Sequence, residues 1–169
     1  MRDDVLLWLH VVAATAFVGP QIFLTLVVPG LRLLPPEGRV LALRVLTSRF
    51  GWLGWGAVVV LVLTGIENLR HAASEGVLIF DPEFRYLWIF VAKMALLAVA
   101  LAAVAVHSFL VGPRQLRLME AALRGADPLE ERRVRRATVL LGMVGLLASL
   151  GILLAAVLLH DYSFSNRPL

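Results

Sequence analysis

The chain alternates long apolar stretches with short arginine-rich ones, and this pattern predicts its architecture. Four stretches are apolar enough to cross a bilayer: about residues 5–28, 51–69, 86–111 and 138–160. A hydrocarbon core about 30 Å thick needs roughly 20 helical residues at 1.5 Å each, and every stretch meets or nearly meets that length. Polar residues inside them are few. The first holds His10, Thr15 and Gln21, the second ends on Glu67 and Asn68, and the third contains Lys93 and His107. The fourth is uncharged until His160. Strand-like alternation is absent, so the pattern predicts helices and not a β-barrel. The fold class expected is all-α, an integral membrane four-helix bundle, with residues 1–169 forming a single domain.

Composition agrees with the pattern. Hydrophobic residues make up 60% of the chain and charged residues only 17%, against about half and a quarter in soluble domains. Mean hydropathy is +0.85. The segment Met1–Asp4 is net acidic, and the apolar run after it is long and lacks a small-residue cleavage site. A retained first helix is therefore expected in place of a cleaved signal peptide. The absence of cysteine excludes disulfides, thiolate metal sites and cysteine catalysis.

Charge sets the expected orientation. The segments joining spans 1–2 and 3–4 carry eleven arginines, whereas the opposite side has four, Arg2, Arg70, Arg85 and Arg167. Basic loops stay cytoplasmic, so both termini are expected outside, in a multi-pass protein of the inner (cytoplasmic) membrane. The net charge of +4 thus reflects topology and anionic lipid at the bilayer surface, and no nucleic-acid partner is expected. After Pro35-Pro36 the first basic segment reads as a short amphipathic helix lying in the interface. The second is split by a turn at Gly125-Ala126-Asp127-Pro128 between two polar helical extensions. The loop His71–Arg85 is long enough to fold over the outer mouth of the bundle.

With this orientation, His10, Glu67, His71, Lys93 and His160 come from four helices and share the outer leaflet, while His107 lies near the inner face as an interfacial cap of helix 3. Ionisable groups in a span cost a few kcal/mol each and usually face partners or a cavity. Glu67 and Lys93 are candidates for an ion pair, with a structural clasp between helices 2 and 3 as the plainer explanation. Glu67 and His71 share a helix face. Candidate cofactor-binding residues are His10, His71, His160, Lys93 and Glu67, and the candidate metal ligands are His10, His71 and His160. Haem b suits imidazole donors inside a helix bundle. Copper is the alternative, although only Met94 among the methionines lies near that depth and no cysteine is present. Small residues at Ala13, Ala14, Ala16, Gly19, Gly142, Gly145, Ala148 and Gly151 could admit a flat macrocycle or simply let helices pack closely. No nucleophile triad, phosphate loop or carboxylate pair is visible, so no catalytic residue is assigned.

Several short pieces occur in a telling order: Leu7-Trp8-Leu9-His10, Val18-Gly19, Ser48-Arg49-Phe50, Leu63-Thr64-Gly65-Ile66-Glu67-Asn68 and Ala92-Lys93-Met94. In these the chain resembles the copper-resistance D (CopD-like) membrane proteins and, more distantly, the HemJ-type protoporphyrinogen oxidases. The first resemblance implies copper import or tolerance beside a periplasmic metal-binding partner. The second implies haem b, a helix 1 histidine and a helix 3 lysine matching His10 and Lys93, and protoporphyrinogen oxidation. Glu67, His71, His160 and the C-terminal residues 161–169 depart from the HemJ-type pattern. Three functional expectations follow. The first is a haem b protein in electron transfer or redox chemistry near the extracytoplasmic leaflet, served by a redox partner. The others are a copper-handling membrane protein, and a cofactor-free subunit of a larger complex. The small-residue faces are compatible with a homodimer.

Overall fold

Apolar segments cannot leave backbone amides unpaired in hydrocarbon, and α-helices satisfy every amide internally. A computed structural model describes residues 2–74, 81–165 and 167–168 and shows that solution. Helix α1 is Arg2–Gly30, followed by a 3₁₀ turn at Leu31–Leu33; α2 is Pro36–Ser74. Helix α3, Arg85–Val106, runs through a π-helical turn, His107–Val111, into α4, Gly112–Leu123. Helix α5 is Pro128–His160, and a short α6, Tyr162–Ser165, ends the helical chain. The protein is an all-α four-helix bundle with four helices long and apolar enough to cross a membrane.

Helix α2 is longer than the sequence pattern suggested, whereas the polar helical extensions on either side of the Gly125–Pro128 turn are present as expected in α4 and the start of α5. No separate interface helix follows Pro35-Pro36, because α2 continues for 39 residues from Pro36. At 1.5 Å per residue that is about 58 Å, nearly twice the hydrocarbon thickness. Gly51 and Gly54 do not interrupt it, since a helix tolerates glycine at a modest cost. The α3–α4 rod and α5 overrun in the same direction. The turn between them occurs where expected: Gly125 takes a positive φ of 92°, and the Asp127 carboxylate accepts from Leu129 N–H at 2.9 Å to cap α5. Arg44 of α2 pairs with Glu120 of α4, and Arg114 pairs with Glu130 at 2.5 Å. These pairs tie the extensions into a polar bundle at the arginine-rich end.

Inside the spans, α1 packs along α2 and α3 packs along α5. Small residues permit this closeness: Ala13, Ala57, Ala100, Ala103, Ala148 and Ala155 are all buried. Phe17 and Val18 wedge against Ala57, with Val104 of α3 alongside. The two pairs are joined in mid-span by Gln21, which donates to Ser149 Oγ at 3.2 Å and to its own helix at the Phe17 carbonyl at 3.1 Å. Ser149 is 1% exposed and donates to the Gly145 carbonyl at 2.8 Å. Large apolar side chains face outward along every rod. The accessible area of 10908 Å² exceeds the roughly 8,200 Å² expected of a compact soluble monomer of 18.5 kDa. That surplus apolar surface suits contact with lipid.

The opposite end holds both termini. Ala72, Tyr86 and Leu159 bring α2, α3 and α5 together there. The C-terminal tail returns to the start of α3, where Arg85 N–H donates to the Arg167 carbonyl at 3.1 Å and the Arg85 guanidinium lies 5.2 Å from the Phe164 ring centroid. The expectation of a loop covering this mouth falls largely on residues 75–80, which lie outside the described residues.

Candidate functional site: a hydrogen-bonded histidine between helices 1 and 2

His10 lies on the face of α1 that meets α2, and its Nδ1 is 2.7 Å from Thr64 Oγ1. Thr64 has one hydroxyl proton, and that proton has a partner of its own. The Val60 carbonyl is 2.7 Å from Oγ1 and the Leu61 carbonyl 3.4 Å, the back-bonding common for threonine in helices. With that proton on the Val60 carbonyl, the network assigns Thr64 Oγ1 as acceptor and His10 Nδ1–H as donor. The tautomer assigned in this way leaves the Nε2 lone pair available. Holding one ring nitrogen as a donor so that the other can bind a metal or accept a proton is the usual arrangement for a working imidazole.

The ring is also shaped from beneath. A Cβ built on Gly65 would stand 3.5 Å from His10 Cε1, so the imidazole lies against bare α2 backbone. Thr64 is buried and His10 half-buried. Lys93 of α3 is half-buried as well and lies within electrostatic range of His10. Among the described residues Lys93 forms no ion pair. A cation in an apolar span without a counter-charge is costly, which favours an anionic group beside it. On the outer flank of the same helix pair, an apolar groove of about 380 Å³ runs between Leu9, Ala13 and Ala16 of α1 and Trp52, Gly56 and Val60 of α2.

The other expected members of the site are elsewhere. Glu67 does not pair with Lys93: its carboxylate accepts from Arg70 at 2.7 Å, one turn along the same helix. The pair is exposed. His71 is exposed and lies seven residues beyond Thr64, about 10 Å further along α2. His160 is exposed and adjoins Leu159, which packs with Ala72, placing it near the same distant level. Two imidazole nitrogens on one metal ion stand about 4 Å apart at metal–nitrogen bonds of ~2 Å. The structure therefore does not bring His71 or His160 opposite His10. Among the described residues no group of three or more His, Asp or Glu side chains is gathered to hold a metal ion.

Nor does the small-residue face of α5 form an open slot. A Cβ on Gly151 would meet Leu96 Cδ1 at 2.9 Å, and one on Gly145 would meet Gln21 and Ala103 at 3.7 and 3.8 Å. From Gly145 to Gly151 that face is filled by α3 and α1, whereas a Cβ on Gly142 would meet nothing within 4 Å. His107 stands at the C-cap position of α3, where its backbone N–H donates to the Ala103 and Val104 carbonyls. It opens the π-helical turn, within which the Gly112 N–H donates to the His107 carbonyl. Pro113 explains the turn, because its ring would clash with the carbonyl four residues back and it has no N–H to give. The His107 Nδ1 is buried with no hydrogen-bond partner among the described residues.

Sequence reasoning missed Thr64 as a partner of His10, and it missed the Gln21–Ser149 link. Both partners lie on other helices. The only signal available was the presence of isolated polar residues in otherwise apolar runs. The chain matches no family model, and no curated protein or solved structure matches it.

Proposed function

We propose that the protein is a multi-pass haem b protein of the cytoplasmic membrane, acting in electron transfer or redox chemistry near the leaflet that carries its termini. The observation supporting this reading is the His10–Thr64 hydrogen bond, which leaves an imidazole Nε2 free inside a helix bundle. The donor set present fits one proximal histidine, a common way of holding haem iron. Haem supplies a one-electron couple when bound. His10 would hold it, Thr64 would fix the ring, and Lys93 would neutralise a carboxylate of the macrocycle or of a substrate. The charge bias supports placing the arginine-rich end in the cytoplasm and both termini outside.

The test is an absorption spectrum of protein purified after haem-replete expression, with elemental analysis of the same sample. The proposal expects a Soret band and near-stoichiometric iron. Copper without pigment would favour the copper-handling alternative, and neither metal would favour a cofactor-free subunit; either result overturns the haem reading.

A further inference from the structure

We infer that the arginine-rich end is a binding collar for the phosphates of anionic phospholipid headgroups. Six arginines carry the inference: Arg49 on α2, Arg117 on α4, and Arg132, Arg133, Arg135 and Arg136 on α5. All but the half-buried Arg135 are exposed, and among the described residues none makes an ion pair. Glu120 and Glu130 are already held by Arg44 and Arg114, and Asp127 is occupied in capping α5. With Glu37 and Glu131 also at this end, eleven arginines face five carboxylates, so the end keeps a net positive charge.

Depth identifies the partner. The α5 arginines lie two to six residues before Thr138, where the apolar run begins, or about 3–9 Å along the axis. The headgroup layer on each side of the hydrocarbon is roughly 5–7 Å thick. Arg49 stands just before the apolar run of α2, and Arg117 just beyond that of the α3–α4 rod. A water-soluble polyanion would have to enter the headgroup layer to reach this level, whereas lipid phosphates are already there. On α5 the four guanidinium groups cover an arc of roughly 160° at 100° per residue. Arg132 and Arg136 are four apart and repel each other on one face, and a headgroup with two phosphates would relieve that repulsion. Guanidinium also grips phosphate with paired N–H donors. The inference is independent of the haem reading.

The full chain, purified and delipidated, is offered an equimolar mixture of tetraoleoyl cardiolipin and dioleoyl phosphatidylcholine, and retained lipid is read by native mass spectrometry. Cardiolipin is expected to be retained on the order of tenfold over phosphatidylcholine. Replacing Arg132, Arg133, Arg135 and Arg136 with Gln should bring the ratio near unity, while Arg124→Gln, in the α4–α5 turn farther from the hydrocarbon, should leave it unchanged. Should the fourfold variant fail to fold by circular dichroism, the pair Arg133→Gln and Arg136→Gln carries the test, with an intermediate ratio expected. Equal retention of both lipids by the wild type, an undiminished ratio in the folded collar variant, or the same loss in Arg124→Gln would overturn the proposal.

Discussion

His10 and His107 are the two histidines inside the spans, and the helices hold them in opposite ways. His10 sits on a regular stretch of α1, with its Nδ1–H on Thr64 and its ring against the bare backbone of Gly65. His107 sits at the start of a π-helical turn imposed by Pro113, with its Nδ1 buried and unbonded among the described residues. In the first, a neighbouring helix fixes the ring and leaves one nitrogen for an outside ligand. In the second, the irregularity accommodates a proline, and the ring meets the Thr138 backbone of α5 while its Nδ1 stays unbonded among the described residues. Residue type and burial alone would rank the two equally. The partner of each Nδ1 separates them.

The comparison can be sharpened by disturbing each place in turn. Thr64→Val keeps the shape of the side chain and removes the acceptor for His10 Nδ1–H. Cofactor affinity should fall about 10- to 100-fold, as when an outer-shell partner of a metal-bound histidine is lost, and haem titration of the purified variant measures it. An unchanged affinity would mean that the tautomer argument is wrong. At the other histidine, Gly112→Ala would place a methyl 2.8 Å from the His107 carbonyl. Relieving that overlap should cost about 1–3 kcal/mol, seen as a lower midpoint in thermal unfolding, while any pigment is retained. Ser149→Ala removes the link to Gln21 and should cost about 1 kcal/mol in the same assay, the scale of hydrogen bonds between membrane helices. Glu67→Gln should be the mildest. It breaks an exposed pair with Arg70 worth less than about 1 kcal/mol, and it should leave cofactor binding unchanged because Glu67 does not reach Lys93.

Much of the fold could be read from the sequence, because the number of spans depends only on runs of apolar residues. The turn at Gly125–Pro128 was equally legible, since glycine, Asp127 and Pro128 each act locally. The length of α2 is not legible in the same way: arginines among leucines suggest an interface helix, but nothing in 47–51 breaks the backbone, so the helix simply continues. The site was harder to see. His10 and Lys93 lie within electrostatic range of each other, as similar depth in the bilayer suggested. Glu67, His71 and His160 share a leaflet with His10, but depth does not fix how each helix is turned about its axis or how far along it a side chain reaches. Thr64 and Ser149 were invisible for the same reason, as each acts through a residue on another helix.

The most direct test of the account compares His10→Ala and His107→Ala, both expressed with excess haem and purified alongside the wild type. The account predicts that the wild type and His107→Ala share a Soret band that His10→Ala lacks. A band that survives in His10→Ala, or one lost only in His107→Ala, would contradict it.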